Sequence, residues 1–201
     1  KNDYKLFSIF YDYYTKQGVE YFYMYYNGII NDNIKKTIEK KNVTLIEWNF
    51  NYWNPPNFKY QHHAQLGQIH HAIYKYGKNI NKYMIFCDLD EYMHIPGTTI
   101  KNYIYNNPDI DIFGFCNHWS KTINSDIIPE SFPNKFLISN KLKYEDRSKN
   151  IYKLDSIKTI HIHVSNFFTI LNPKLISNLN MYHFFNWCNY DNHRKGKINY
   201  I

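Results

Sequence analysis

The chain has 201 residues and a mass of 24.5 kDa, and its 44% hydrophobic and 20% charged residues are typical of a folded domain, which excludes a disordered chain. No apolar run reaches the roughly 18 residues that a membrane span needs, so we predict no membrane span in this chain. The net charge of +7 favours anionic ligands. It rests on 22 lysines and only 2 arginines in a chain with 27 asparagines and 27 isoleucines, a composition typical of an AT-rich genome. Because arginine is the residue that reads bases, we predict no specific nucleic-acid partner.

Helical and extended patterns alternate through the first half of the chain. In chain order they predict a helix over 5–17 that ends at Gly18, a strand over 21–26, a helix over 31–41, a strand over 43–48, a helix over 60–76 that ends at Gly77, a strand over 83–87, a short helix capped by Thr98 or Thr99 that ends at 105, and a strand over 111–116. The second half is less regular, and 157–164 reads as a half-buried strand. The alternation predicts an α/β fold with a mixed, mainly parallel central sheet flanked by helices.

Acidic residues follow the apolar strand over 83–87 directly, at Asp88, Asp90 and Glu91. Asp88 and Asp90 are two residues apart, so an extended backbone directs both carboxylates to one side. Hard oxygen ligands suit Mg²⁺ or Mn²⁺, and a divalent cation would relieve the repulsion between the two acids. The alternative is an acidic cluster that only ends a strand in solvent; the apolar strand before it and Glu91 after it favour the metal site.

Histidines form a second group of candidate ligands. His161 and His163 alternate on the strand predicted over 157–164, so both side chains point to one face. Imidazole is a suitable third ligand for the metal, and we prefer His163 in that role. The alternative is a pair of exposed strand histidines without a ligand.

Three cysteines, Cys87, Cys116 and Cys188, are an odd number in apolar or aromatic surroundings. They read as buried free thiols and not as a disulfide framework, which favours an intracellular, reducing compartment. The chain opens at Lys1 with neither an initiating methionine nor a signal peptide, and we expect it to be part of a larger protein.

The segment Asp88-Leu89-Asp90-Glu91-Tyr92 resembles the D-x-D-E-aromatic motif of GT-A-fold glycosyltransferases, specifically the glycosyltransferase-2-like and family-92-like branch. Further segments match that branch in the same order: Ile9 to Val19, Tyr21 to Asn27 with Asp32 after it, and a helix that carries Gln65 and Ala72. The resemblance covers residues 8–120 well and the remainder loosely. In two places the chain departs from the branch, where Ile9 and Tyr26 replace acids. The first strand of the branch is expected before residue 5 and is absent from this sequence.

The resemblance implies a single GT-A-like glycosyltransferase domain over 1–201, with a nucleotide and metal half at about 1–115 and an acceptor half at about 116–201. It implies a metal-dependent glycosyltransferase of the hexosyltransferase type that uses Mn²⁺ or Mg²⁺. The donor would be a nucleotide-sugar, foremost a UDP-linked one, and the acceptor a hydroxyl group on a glycan or a protein.

Residue roles follow from the same resemblance. The metal ligands would be Asp88, Asp90 and His163, and the donor would be bound by Asp88, Asn27, Gln65 and His183. Trp119 would stack on an acceptor sugar, and either Asp126 or Glu130 would be the base. The alternatives for these residues are a packed aromatic cluster around His183, a core position for Trp119 and solvated loop acids. The charge-rich segment 140–150 reads as surface or as a mobile lid.

Three other functions remain open at this point. A degenerate glycosyltransferase-like domain would bind its ligand without catalysis. A metallohydrolase would use Asp88, Asp90, His161 and His163, although no further motif completes a two-metal site. A polyanion-binding module would rely on the lysines and tyrosines alone.

Overall fold

The computed structural model describes residues 3–50, 64–123, 130–157, 160, 173–185 and 187. The helices are α1 (Phe7–Lys16), which follows a 3-10 turn at Asp3–Leu6, α2 (Asp32–Ile38), α3 (Ala64–His71), which continues into a π-helical turn at Ala72–Gly77, and α4 (Ile100–Tyr105). A second 3-10 turn lies at Leu154–Ser156. The strands are β1 (Phe22–Tyr26), β2 (Val43–Glu47), β3 (Tyr83–Phe86), β4 (Glu91–His94), β5 (Ile112–Thr122), β6 (Phe136–Ile138), β7 (Lys149–Lys153) and β8 (Leu175–His183).

The helix boundaries follow the capping residues in the sequence. The Asn31 side chain accepts a hydrogen bond from the Ile34 N–H at 3.0 Å, and Thr99 Oγ1 accepts one from the Asn102 N–H at 3.2 Å. These bonds satisfy amide groups that have no partner in the first turn of α2 and of α4. Gly18, at φ +90°, lies just beyond the end of α1.

The strands form two sheets. In the smaller one β1 and β2 pair in parallel, and in the larger one the order is β3-β7-β5-β8-β4, with β6 also paired to β5. The α/β class is confirmed. The larger sheet is mixed rather than mainly parallel, because only β5 and β8 are parallel in it and its other pairs are antiparallel. Parallel neighbours need a long crossover, usually a helix, and among the described residues no α-helix lies between β5 and its antiparallel neighbours β6 and β7.

The largest core cluster joins α1 to the strand that follows the acidic residues. The Tyr14 hydroxyl donates to the Glu91 carbonyl oxygen at 2.9 Å and accepts from the Met93 N–H at 3.0 Å. The Tyr14 ring is stacked with that of Tyr92, with centroids 6.3 Å apart. Helix α1 therefore holds β4, and with it the turn that carries Asp88 and Asp90, in a fixed position.

Two of the three cysteines lie among the described residues, and both are free thiols. Burial raises the pKa of Cys87 and of Cys116 above the ordinary value for a thiol. Both are therefore protonated at neutral pH, which makes them poor nucleophiles. Cys188 lies outside the described residues.

Gly114 allows β5 to pass closely under a tyrosine. The register between β5 and β8 shifts between Phe113 and Phe115, and a Cβ atom at Gly114 would collide with the ring of Tyr144 and lie 3.1 Å from the Ile176 carbonyl oxygen. We expect Gly114→Ala to lower the free energy of unfolding by about 1–3 kcal/mol, measured by urea denaturation. Gly67→Ala is the matched control.

At Gly67 the nearest atom to an added Cβ is a Trp48 ring carbon at 3.6 Å, an ordinary contact, and the residue lies within α3. This control should therefore be neutral or stabilising by up to about 1 kcal/mol. Equal stability of the Gly114 variant and the parent would contradict the close approach of Tyr144.

Candidate active site

A groove of about 1720 Å³ lies between β1 and β3 and contains the side chains at the carboxyl end of β3. Its lining includes Asp88, Asp90, Gln65, Lys149 and His183. Ordinary small-molecule pockets measure roughly 300–1,000 Å³, so this groove is large. Ligands of open α/β sheets bind at the carboxyl ends of strands, and this end of the groove is therefore the candidate site.

The acidic turn between β3 and β4 has one buried and two accessible carboxylates. The Glu91 side chain is 1% exposed, whereas those of Asp88 and Asp90 are 50% and 25% exposed. Glu91 Oε2 accepts a hydrogen bond from the Asp88 N–H at 2.7 Å, and the Glu91 N–H donates to the Asp88 carbonyl oxygen at 3.1 Å. Glu91 thus shapes the turn, and the two aspartates are left facing the groove.

Lys149, on β7, neutralises the buried acid. Its Nζ lies 3.2 Å from both Asp88 Oδ2 and Glu91 Oε2, and its side chain is 3% exposed. Burial alone would lower the pKa of Lys149, but the carboxylates of Asp88 and Glu91 outweigh it and raise that pKa well above the ordinary value, so the lysine is charged. Burial raises the pKa of Glu91, and Lys149 opposes that rise.

Sequence reasoning missed this lysine. The prediction that the segment 140–150 is surface or a mobile lid is wrong for Lys149 and Asn150, which begin β7 and are buried. A lysine is normally exposed, and it is buried here because two carboxylates from another part of the chain surround its ammonium group. No local signal in the sequence indicates those partners.

His183, the last residue of β8, lies beside the second aspartate. Its Nε2 is 3.4 Å from Asp90 Oδ2, and its Nδ1 is 3.7 Å from Glu91 Oε1. The imidazole also packs against the Trp119 ring, with centroids 4.9 Å apart. The histidine is therefore positioned to orient the Asp90 carboxylate toward the groove.

Gln65 and Asn27 occupy different positions around the groove. Gln65 Nε2 donates to Asp88 Oδ1 at 3.1 Å, so it holds the same carboxylate as Lys149 from the other side. The Asn27 amide donates to the carbonyl oxygens of Trp48 and Phe50, at 3.0 and 2.8 Å. Asn27 lines the groove and connects the end of β1 with the segment that follows β2.

An acid pair at the end of an apolar strand, held by lysine, glutamine and histidine, is compatible with several chemistries. The family model for glycosyltransferase family 92 matches residues 1–197, almost the whole chain. The chain belongs to glycosyltransferase family 92. Its family-92-like resemblance is thereby confirmed, and the protein is an enzyme that moves a sugar from a nucleotide-sugar donor to an acceptor. A search of curated proteins finds no match to it.

Two acceptor-side candidates of this family 92 glycosyltransferase, Trp119 and Glu130, are among the described residues, and neither lines the groove. Trp119, at the end of β5, packs on His183 and Phe185, and the Arg147 guanidinium lies 5.8 Å from its ring. Glu130 is exposed and does not line the groove. Asp126 and His163 lie outside the described residues.

The accessible carboxylates of the family 92 domain fit a hard divalent cation as part of a larger ligand set. Asp88 and Asp90 supply oxygen donors, and among the described residues no group of three or more histidine, cysteine or acidic side chains could hold a metal ion. Mg²⁺ commonly binds one or two carboxylates and completes its coordination with water and substrate phosphates. The residues therefore fit a metal that binds together with a diphosphate.

No helix among the described residues combines the length and the apolar character that crossing a membrane requires.

Proposed function

We propose that this domain transfers a sugar from a nucleoside-diphosphate sugar, foremost a UDP-linked one, to a hydroxyl group of a glycan or protein, with Mn²⁺ or Mg²⁺ at Asp88 and Asp90. The observation that carries the proposal is the pair of accessible aspartates at the carboxyl end of β3, in a groove large enough for a nucleotide-sugar. Bound there, the cation would supply neutralisation of the charge that develops on the leaving diphosphate.

Asp90 and Asp88 would have different roles at the metal. Asp90 would be the direct ligand, because its contact in the groove is the His183 imidazole at 3.4 Å, which orients it. Asp88 is held by Lys149 at 3.2 Å and by Gln65 at 3.1 Å. It would reach the ribose of the donor, or the metal through a water molecule.

Lys149 limits the negative charge of the site. With Glu91 buried beside two aspartates, three carboxylates would otherwise meet a diphosphate anion. The Lys149 ammonium group compensates one of those charges and lies in the groove lining. A single divalent cation can then offset most of the remaining repulsion.

The acceptor hydroxyl needs a base if the anomeric configuration inverts. We assign that role to Asp126 or Glu130, the acids of the segment that follows β5, and we assign a stacking contact with the acceptor sugar to Trp119. The acceptor would then approach near the end of β5, where Trp119 is the register partner of His183 on β8.

The test is release of nucleoside diphosphate from a panel of UDP-, GDP- and CDP-linked sugars, with Mn²⁺ and a mixture of glycan acceptors. We expect the UDP-linked sugars to react, activity to fall to background with EDTA, and Mn²⁺ or Mg²⁺ to restore it. Turnover that EDTA leaves unchanged would contradict the metal site. Faster turnover of a GDP- or CDP-linked sugar would contradict the choice of donor.

A further inference from the structure

Positive charge is concentrated in the turn that leads into β3. Residues 74–82, Tyr-Lys-Tyr-Gly-Lys-Asn-Ile-Asn-Lys, contain three lysines and no acid, and we call them the basic turn. The lysine content of the whole chain does not explain this cluster, because 22 lysines in 201 residues average only about one in nine. No acidic residue occurs in the sequence between Glu47 and Asp88, so the basic turn has no acid close to it along the chain.

The lysines of the basic turn form no ion pair with any described residue. Each ammonium group instead lies 5.1–5.9 Å from the centroid of a tyrosine ring, Lys75 at Tyr76, Lys78 at Tyr74 and Lys82 at Tyr83. A tyrosine ring attracts a cation but does not cancel its charge. All three charges are therefore available to an anionic partner.

Two large hydrophobic side chains of the basic turn are exposed, Ile80 at 69% and Tyr74 at 56%. The backbone around Ile80 is held by hydrogen bonds. The Ile80 N–H donates to the Gly77 carbonyl oxygen at 3.2 Å, and the Asn81 N–H donates to the same oxygen at 2.8 Å. Asn79 between them has the left-handed φ of +70° that a tight turn requires. The fold therefore presents an isoleucine to the surroundings on a well-bonded turn.

The basic turn lies at the amino end of β3, whereas the acidic turn follows its carboxyl end. Lys82 and Asp88 are six residues apart along a largely extended stretch, a separation of roughly 20 Å. Lys153, which ends β7, is the register partner of Tyr83 and adds a fourth positive charge at the amino end. An anionic surface would attract this end of the domain and repel the other, and would thereby orient the molecule.

Acids at the amino end of β3 only partly offset these lysines. Asp109 Oδ2 lies 3.9 Å from the Nζ of Lys174, so this acid has a cation of its own. Asp111 accepts a hydrogen bond from the Lys174 N–H at 3.1 Å, and Asp155 is exposed in the 3-10 turn after β7. With Lys153 included, four lysines outnumber the two remaining carboxylates, and the net charge at this end is positive.

The combination of lysine, tyrosine and isoleucine fits a lipid surface better than a nucleic acid. Lysine is a compact point charge that suits anionic headgroups, and the basic turn has no arginine for bidentate contacts with bases. An exposed isoleucine contributes nothing at phosphates or base edges. Aliphatic and aromatic side chains next to lysines do stabilise binding at a lipid–water interface.

We propose that the basic turn docks the protein on membranes that contain anionic lipids, with Lys75, Lys78 and Lys82 at the headgroups and Ile80 and Tyr74 at the boundary between headgroups and acyl chains. Docked in this way, the domain would hold its acidic turn roughly 20 Å from the bilayer surface, at the end that faces away from it. This inference is independent of the reaction that the acidic turn performs, since none of these five residues is assigned to that reaction.

The experiment measures sedimentation of the 201-residue chain with vesicles of phosphatidylcholine alone and with vesicles that also contain about 30% phosphatidylserine. One variant replaces the three lysines of the basic turn by glutamine, and another is Ile80→Ser. The matched control replaces three exposed lysines outside the basic turn by glutamine, Lys35, Lys36 and Lys143, and loses the same net charge. Binding to poly(U) RNA, a polyanion without an apolar phase, is measured in parallel at equal phosphate concentration.

We expect the parent to bind only the vesicles that contain phosphatidylserine, and less tightly as salt is added. The triple variant of the basic turn should bind them about 30-fold more weakly or worse, and the control within about threefold of the parent. Ile80→Ser should weaken vesicle binding about fivefold and leave poly(U) binding unchanged, because only the bilayer offers an apolar phase. None of these side chains is buried, so the unfolding midpoints should stay within about 2 °C of the parent.

Equal vesicle binding by the triple variant and the control would overturn the proposal, as would failure of the parent to bind the anionic vesicles at low salt. If Ile80→Ser binds the vesicles as the parent does, no side chain enters the bilayer and the proposal fails. Tighter binding of the parent to poly(U) than to the vesicles would assign the basic turn to nucleic acid and would also overturn it.

Discussion

Asp90→Asn should lower the affinity for Mn²⁺ in the presence of UDP by at least about 100-fold while leaving the fold intact. The amide keeps the shape of the side chain but removes the negative charge that a hard cation requires. The side chain is 25% exposed, and the amide of the variant can keep the contact with the His183 imidazole at 3.4 Å, so the unfolding midpoint should change little. Mn²⁺ binding is measured by electron paramagnetic resonance, and UDP binding by calorimetry.

Asp155→Asn is the matched control for this variant. Asp155 is exposed and lies outside the groove, in the 3-10 turn that follows β7 at the end opposite Lys149. The substitution makes the same chemical change as at Asp90. It should bind Mn²⁺ and UDP as the parent does. If the Asp90 variant also binds both as the parent does, Asp90 is not a metal ligand.

Lys149→Met should lower the free energy of unfolding by about 3–5 kcal/mol. The change leaves the Glu91 carboxylate, which is 1% exposed, without its cation in the interior. Urea denaturation followed by circular dichroism measures the loss. Because the pKa of Lys149 is raised above its ordinary value of 10.5, the parent keeps this stabilisation below that pH as long as its carboxylate partners are ionised, and loses it as the pH rises through the higher value of the folded state.

Two further variants distinguish the loss of the Lys149–Glu91 ion pair from the general effect of replacing a lysine by methionine. Glu91→Gln combined with Lys149→Met removes both charges, and we expect the double variant to be more stable than Lys149→Met alone. Lys153→Met, on the same strand, replaces a lysine whose Nζ makes an exposed contact with the Pro108 carbonyl oxygen at 3.1 Å, and it should stay within about 0.5 kcal/mol of the parent. If Lys149→Met matches Lys153→Met, the buried pair does not stabilise the site.

Local elements of this fold can be predicted from the sequence because their signals are local. Asn31, Thr99 and Gly18 mark helix ends by hydrogen bonding or by backbone conformation, and the apolar strand before Asp88 places two carboxylates at its end. Long-range partners have no such signal. The antiparallel pairing of β4 with β8 sets His183 opposite Glu91 at the acidic turn, and the antiparallel pairing of β3 with β7 brings Lys149 there.

The direction of the strands in the larger sheet was the part of the fold that periodicity could not determine. Alternation of strands and helices up to Asp88 is typical of parallel units, and β1 and β2 do pair in parallel. After β5 the helical crossovers cease among the described residues, and neighbouring strands pair mostly antiparallel. The sequence predicts this strand only as far as 116, whereas β5 continues to Thr122 and both His118 and Ser120 within it are buried.

The most direct measurement of the proposed donor site is anomalous diffraction at the manganese edge from crystals of the protein with Mn²⁺ and UDP. A manganese peak in direct contact with the Asp90 carboxylate and with the UDP diphosphate, with Asp88 beside it, is the expected result. A diphosphate bound in the groove with no manganese at Asp90, or manganese and UDP bound together elsewhere on the protein, would contradict the assignment of this acidic turn.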